Sequence, residues 1–467
     1  MPLLCATSHG FSLTLVKGWQ AHEEAVERLL ASYQRIAPGD RVRLAKKTSN
    51  LFRPRSGNDA PGLDVSGLDG VIAIDADAQT ADVQGVCTYE HLVAETLAQG
   101  FIPYVVPQLR TITLGGAVTG LGIESTSFRS GLPHESVLEM DILTGSGDVV
   151  TAAPKGEHSD LFDAFPNSYG SLGYATRLKI KLEKVPPYVT LRHVRMADAA
   201  AAVKAIDVIA ETGEWHGERV DALDGTAFNP DEIYLTLAHF TDTKQQASDY
   251  TGQQIYYRSI QARETDALTM NDYIWRWDTD WFWCSGAFGA QNRWVRRVWP
   301  SRWRRSDVYH RLVGLDEKIH ISTVLDRFKK VSARERVIQD VEVPLDRLPE
   351  FLEWFDTEVG MRPVWLCPLR TTRPWPVYPL TPGETYVNVG FWGTVEVPAG
   401  SPEGMLNRKI EEAVHDLGGH KSLYSEAFYD KETFEKMYGG EVLAAARRRY
   451  DPEGRLSTLY EKAVRNS

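Results

Sequence analysis

Between residues 20 and 36 the apolar positions Val26, Leu29, Leu30 and Tyr33 recur at helical spacing, and Pro38-Gly39-Asp40 closes the segment, which predicts a helix. The pattern then turns strand-like. A first small lobe reads as strand and loop over 42–52, paired strands over 70–86, and a helix and strand over 91–106. A second lobe runs from Gly115 to about Val185, with strands in 137–153 and 175–185 and a helix over 159–165 between them. In 177–185, Leu178, Ile180 and Leu182 alternate with Lys179, Lys181 and Glu183, the pattern of a half-exposed sheet. Pro186-Pro187 marks a boundary. Beyond it come an alanine-rich helix (197–213), a strand (232–240), a tryptophan-rich stretch, and a strand-then-helix unit over 337–360, a βαβ-like composition.

At 467 residues the chain exceeds what a single core usually serves, so two domains are the default expectation. A net charge of −11 argues against broad nucleic-acid binding. Cys5, Cys87, Cys284 and Cys367 are scattered, with no metal-ligand spacing, and are too few for a disulfide scaffold, so a reducing compartment is expected. His134 and His158 have no second ligand three or four residues away, and no metal role is assigned to them. Residues 1–19 show no basic leader followed by an apolar run, and nothing reaches the ~18 apolar residues of a membrane span. A protein of this kind that works on lipid is expected to dock from the side.

Gly115, Gly116, Gly120 and Gly122 fall within eight residues between two β-rich runs. Glycines so placed let backbone N–H groups approach a pyrophosphate that a Cβ would obstruct, which points to a flavin. The spacing is not G-x-G-x-x-G, and no helix with an acidic residue about twenty positions on is expected after it, so a Rossmann or P-loop reading fails.

Thr113-Leu114-Gly115-Gly116, Gly122-Ile123-Glu124-Ser125, Ser159-Asp160-Leu161-Phe162 and the turn from Ser168 to Tyr174 resemble, in order and spacing, the FAD-binding flavoproteins of the p-cresol methylhydroxylase and vanillyl-alcohol oxidase fold. Trp365-Leu366-Cys367-Pro368, the run Gln339 to Pro344 and the closing run Tyr450 to Val464 are similar to the Δ24-sterol reductase branch. Arg43 to Arg53 looks closer still to bacterial flavoproteins that reduce methylene-branched fatty acyl chains, as in tuberculostearic acid synthesis. The resemblance implies an α+β protein in three parts. Residues 1–185 form a two-lobed FAD-binding domain of the p-cresol methylhydroxylase (PCMH) type, 186–430 an α/β substrate or cap domain, and 431–467 return to the FAD domain. It also implies cofactor contacts from Thr48, Ser49, Asn50, Thr113, Leu114, Gly115, Gly116, Gly120, Gly122, Ile123, Glu124, Ser125, Ser127, Ser171 and Gly173, with Lys46 or Arg53 supplying charge. Relatives often carry a flavin-tethering histidine in the loop that here reads Thr48-Ser49-Asn50, so FAD is expected to be non-covalent.

The implied reaction is reduction of a carbon–carbon double bond in a long-chain lipid. Candidate substrates are a methylene-branched fatty acyl phospholipid or a Δ24-sterol, with NADPH as donor and a functional partnership with a lipid methyltransferase. An FAD oxidase of a sugar or hydroxy acid and a non-enzymatic flavin-binding membrane protein are the alternatives. Reduction needs a proton donor held protonated, a state that burial favours for a carboxyl group. Glu124, Asp340, Glu342 and Tyr169 are candidates; Glu124 sits beside the flavin or pairs with Arg129. Asp340 and Glu342 share one strand face, which looks into the site or into water.

Residues 273–312 hold seven of the chain's thirteen tryptophans. On a helical wheel Arg293, Arg296 and Arg297 lie opposite Trp294, Val295, Val298 and Trp299, and Arg302, Arg304 and Arg305 surround Trp303. This suits a segment in an anionic lipid interface, hence a cytoplasmic protein peripheral at the inner face of the plasma membrane, or else a core-packed lid whose arginines are paired.

Overall fold

The computed structural model describes residues 8–46, 52, 61–319 and 334–464. Thr48, Ser49, Asn50 and Arg53 lie outside the described residues. The helix predicted from residue 20 begins earlier and runs Ser8–Gln34. Its inner face buries Ala25, Leu29 and Tyr33 against Val42, Leu63 and Leu456 in a small core of its own.

Two short strands, β1 (Arg43–Leu44) and β2 (Gly62–Leu63), pair in parallel. The first main sheet is built from β3 (Val71–Asp75), β4 (Thr80–Gln84), β5 (Phe101–Pro103), β6 (Val137–Leu143), β7 (Val149–Ala152) and β8 (Tyr174–Lys184). Its order is β3-β4-β8-β6-β7, with β5 also on β8. In β8, Leu178, Ile180 and Leu182 are buried while Lys181 is exposed, following the alternation of the sequence. Helix Tyr89–Leu97, capped by the Thr88 hydroxyl, leads into β5. Helix Ser159–Ala164 packs against the later helix Gly440–Tyr450.

Past Pro186-Pro187 the chain enters a second, larger sheet. It comprises β9 (Tyr188–Met196), then a small ribbon β10 (Glu214–Trp215) and β11 (Glu218–Arg219) that stands apart, and β12 (Ala222–Asn229), β13 (Glu232–Thr241), β14 (Thr265–Thr269), β15 (Arg334–Pro344), β16 (Val364–Leu369), β17 (Tyr386–Glu396) and β18 (His420–Lys421). The order is β14-β9-β13-β12-β16-β17-β15-β18, and every pairing is antiparallel. The helices nonetheless join strands that run parallel, β9 to β12, β15 to β16 and β17 to β18, each pair separated in the sheet by one antiparallel strand, so the βαβ-like pattern of the sequence is realised as split βαβ units.

One face of this sheet is covered by helices Ala199–Thr212, Leu348–Glu358 and Met405–Asp416, which bury Val337, Val341, Leu366, Val389 and Phe391. Because side chains alternate, Asp340, Trp365 and Trp392 point to the other face. That face looks toward the glycine-bearing loops of the first sheet, and the last segment, Thr458 to Ala463, closes against them as well.

Candidate flavin and proton-transfer site

A cavity of about 690 Å³ opens between the two sheets. Its walls fall into two chemical groups. The polar group is built on Lys46, Thr113, Gly116, Gly120, Tyr169 and Lys462. Thr113 has extended backbone and caps helix Leu114–Thr119 by accepting from the Gly116 N–H, while Lys46 Nζ donates to the same hydroxyl at 3.0 Å. Lys462 Nζ donates to the carbonyls of Tyr169 (3.2 Å) and Gly170 (2.9 Å), tying the C-terminal helix to the turn over 168–174.

The glycines are helical or tightly packed rather than held at positive φ. Leu114–Thr119 forms a short helix between the two β-rich runs. A Cβ on Gly116 would meet Thr113 Oγ1 at 2.8 Å and Lys46 Nζ at 3.6 Å. On Gly122 it would meet Pro107 and Pro133 at 2.7 and 2.9 Å. Gly85, which the sequence reading missed, lies directly under the Ala175 carbonyl and leaves room for Gly115 against its own. These residues therefore hold two elements close together as well as baring backbone to the cavity. In the turn after them, Gly173 does require a left-handed backbone (φ 135°), and Tyr169 adopts one (φ 49°).

The second group is aromatic, with a half-buried carboxyl among the rings. Trp281, Phe282, Trp365, Trp392 and Phe52 line it, with Phe282 4.5 Å from Trp392 and 5.5 Å from Trp365 by ring centroids and Phe52 stacked on Trp281 at 5.6 Å. Trp281 and Phe282 have φ of 46° and 59°, unusual for bulky residues, and the stack of Phe282 on Trp277 at 4.7 Å helps to hold them there. Asp340 opens onto the cavity, accepts from Asn388 Nδ2 at 3.3 Å and is hydrogen-bonded to Tyr424. Tyr424 in turn accepts from Trp392 Nε1 at 2.7 Å. Burial pushes the Asp340 carboxyl up to about 7, against the smaller opposing effect of its hydrogen bonds. Gly390 is its cross-strand partner, and a Cβ there would overlap Asp340 Oδ1 and crowd the Trp392 ring.

Of the residues expected at the cofactor, Thr113, Gly115, Gly116, Gly120, Gly122, Ile123 and Gly173 line the cavity, as does Tyr169, a candidate proton donor. Leu114, Ser125, Ser127 and Ser171 do not; they are buried in the packing behind it. Glu124, expected as proton donor and flavin neighbour, also faces elsewhere. It pairs with Arg276 at 2.9 Å, and Arg276 reaches Asp224 at 3.0 Å, while Ser125 Oγ bonds both Glu124 and the Tyr273 hydroxyl at 2.7 Å. Arg129, the partner considered from sequence, instead holds Glu183. Glu342 shares the strand face of Asp340 but is buried outside the cavity, bonded by the Tyr378 hydroxyl. The face carrying both carboxylates thus points inward, not to water.

Tyr424, Trp392 and Lys462 carry no isolated signal in the sequence. Trp365 and Lys462 do stand within the runs that carry the resemblance, which is the clue that was there to use. The lining fits FAD: cations and bare backbone for the pyrophosphate at one group of walls, flat aromatic surfaces at the other, and among the described lining residues no histidine or cysteine to tether a flavin.

Comparison with known proteins agrees. An FAD binding domain matches residues 21–153. The chain is similar to Delta(24)-sterol reductase of Rattus norvegicus, 23% identical over 84% of this chain and 75% of the relative. It is similar to Delta(24)-sterol reductase of Arabidopsis thaliana, 24% identical over 86% and 76% respectively. Cytokinin dehydrogenase 1 of Oryza sativa subsp. japonica is 32% identical over 28% of this chain and 24% of the relative. The chain carries an FAD-binding domain.

Proposed function

We propose that this FAD-dependent oxidoreductase, a relative of the Δ24-sterol reductases, reduces an isolated carbon–carbon double bond in a long-chain lipid, with NADPH as the electron donor. The observation that carries the reading is Asp340. It is a carboxyl whose pKa is raised to about 7, in the wall of a cavity lined by aromatic rings where an apolar chain is the fitting occupant.

The chemistry that FAD supplies when bound is hydride transfer. Lys46, Thr113, Gly116 and Lys462 are the residues to hold its phosphates, and Trp281, Phe282, Trp365 and Trp392 to exclude water from the reacting carbons. An isolated alkene reduced by hydride at one carbon needs a proton at the other. In this reading Asp340 gives it, supported by its opening onto the cavity and by the hydrogen bonds to Tyr424 and Asn388 that orient the carboxyl. Of lipid alkenes, a methylene-branched fatty acyl group on a phospholipid is the substrate we favour over a sterol side chain, on the run Arg43 to Arg53. Its product is a methyl-branched chain, so the reaction that supplies the substrate is a methyl transfer onto an unsaturated acyl chain, which implies a lipid methyltransferase as functional partner.

The test is anaerobic. NADPH should bleach the bound flavin, and a methylene-branched acyl lipid should restore its colour. Bleaching only by a polyol or hydroxy acid would establish an oxidase instead, and bleaching by no donor a non-enzymatic flavin protein. Lipids from cells lacking the gene should accumulate the methylene-branched chain; accumulation of a sterol alkene would reassign the substrate.

A further inference from the structure

The tryptophan- and arginine-rich segment divides into an inward and an outward half that the helical wheel did not separate. Arg296 is buried, bound to Asp280 at 2.6 Å and donating to the carbonyls of Tyr250, Gly252 and Gln254. Arg304 is buried and donates to the carbonyls of Thr251, Gly252, Arg296 and Trp299. Arg305 pairs with Glu90 and Asp307. These three, expected on the membrane side, are instead the fastenings of the segment.

What they fasten stands out from the surface. Trp294 is 67% exposed, Val298 80% and Trp303 50%, and with Val295 they make four of the six large hydrophobic residues that are exposed among the described residues. Arg293, Arg297 and Arg302 are exposed beside them and form no ion pair among the described residues. Two of these guanidinium groups lie over the neighbouring rings, Arg293 at 5.4 Å from Trp294 and Arg302 at 5.7 Å from Trp303. A knob of two exposed indoles and two exposed aliphatic side chains, interleaved with cations on a chain of net charge −11, suits one partner above others. Indoles partition to the boundary between headgroups and acyl chains, and the arginines meet anionic headgroups there. An acidic protein surface would satisfy the arginines and leave the apolar side chains less well covered. The knob is also continuous with the cavity wall, since Asp280, which anchors Arg296, immediately precedes Trp281 and Phe282.

We propose that the knob Arg293 to Trp303 docks on an anionic phospholipid bilayer and sets the aromatic wall of the cavity at the membrane, where a lipid substrate resides. This rests on the lipid reading of the site, but vesicle binding is measured without turnover, so the two fail separately.

The experiment is flotation of the full-length holoprotein with vesicles of phosphatidylcholine alone and of phosphatidylcholine with an equal part of phosphatidylglycerol. Wild type should float with the anionic vesicles. The triple variant Arg293→Gln, Arg297→Gln, Arg302→Gln should lose roughly two decades of partitioning at low salt, the sum over three cations near such a surface. Trp294→Ser with Trp303→Ser should lose about tenfold or more on either vesicle, insensitively to salt, because the loss there is apolar burial. Flavin content, melting temperature and anaerobic bleaching by the donor should match wild type in both. Wild type that stays out of anionic vesicles, variants that float as well as wild type, or variants that lose flavin would each overturn the proposal, the last by making the segment only a lid. A wild type captured by an acidic protein but not by vesicles overturns it in favour of a protein partner. A protein that floats but reduces no lipid alkene leaves the docking in place and removes the substrate reading alone.

Discussion

Glu124 is a buried carboxyl group and Asp340 a half-buried one open to the cavity, and their surroundings separate their roles. Glu124 lies against the guanidinium of Arg276, which is fully buried and also serves Asp224; burial still raises the Glu124 pKa against the pull of Arg276, but the carboxyl is bonded into this cluster and does not open onto the cavity. Removing Arg276 strands two carboxylates: Arg276→Met should destabilise by about 3–5 kcal/mol, read as a fall in denaturation midpoint. Asp340 has hydrogen bonds and no ion-pair partner among the described residues, so desolvation prevails and raises its pKa to about 7. Asp340→Asn should lower the rate of alkene reduction by about a hundredfold or more while flavin content and bleaching by the donor stay normal. Stopped-flow measurement of the two half-reactions checks both outcomes. The pH dependence follows the same group. Its proton is lost above about 7, so the rate of alkene reduction in wild type should fall as pH rises through that value. Stability changes in a different window. The folded carboxyl holds its proton where the unfolded one, near 3.8, has lost it, so this group's contribution to stability declines as pH rises from 3.8 to about 7 and is level above.

At the scale of elements, helix Leu114–Thr119 is six residues long and has little intrinsic stability. It is held by the Thr113 cap, by Lys46 on the same hydroxyl and by the close approach of Gly115 to Gly85. Gly116→Val should abolish FAD binding, because its side chain would press on Thr113 Oγ1 and occupy the space between that cap and Lys46. Backbone strain is not the cause, since Gly116 is helical. Flavin absorbance of the purified variant is the measurement, and a soluble apoprotein is the expected form. The strand β15 makes a parallel point about faces. Val337, Val341 and Val343 meet the covering helices, which leaves Asp340 and Glu342 to the opposite side. That side is interior because a second sheet lies across it.

Across the whole molecule, the cavity exists only where two sheets and the C-terminal segment meet, so cofactor binding and cohesion of the fold are coupled. FAD binds the folded chain and not the unfolded one, and adding it should raise the melting temperature in a concentration-dependent way. Acid precipitation should release all of it, since the described residues that line the cavity include neither histidine nor cysteine. A yellow pellet, with flavin retained on the denatured chain, is the contrary result.

Much of this was legible in the chain before folding. Periodicity marked the helix before Pro38, the alternation in β8, the strand and helix over 337–360 and the change at Pro186-Pro187, because each is a local contest between burial and solvent over a few residues. The glycine cluster and its neighbouring motifs identified the cofactor, because only residues without a side chain admit a backbone so close. The sequence alone could not choose between water and the interior for the face of β15, nor between Arg129 and Arg276 as the partner of Glu124. It could not sort the arginines of 293–305 into fastenings and an exposed set. Those choices depend on contacts between residues far apart in the chain, such as Asp340 with Tyr424, Arg276 with Glu124 and Lys462 with Tyr169. Which side of an amphipathic element is buried is set by what lies across from it, and that is decided only when the sheets come together.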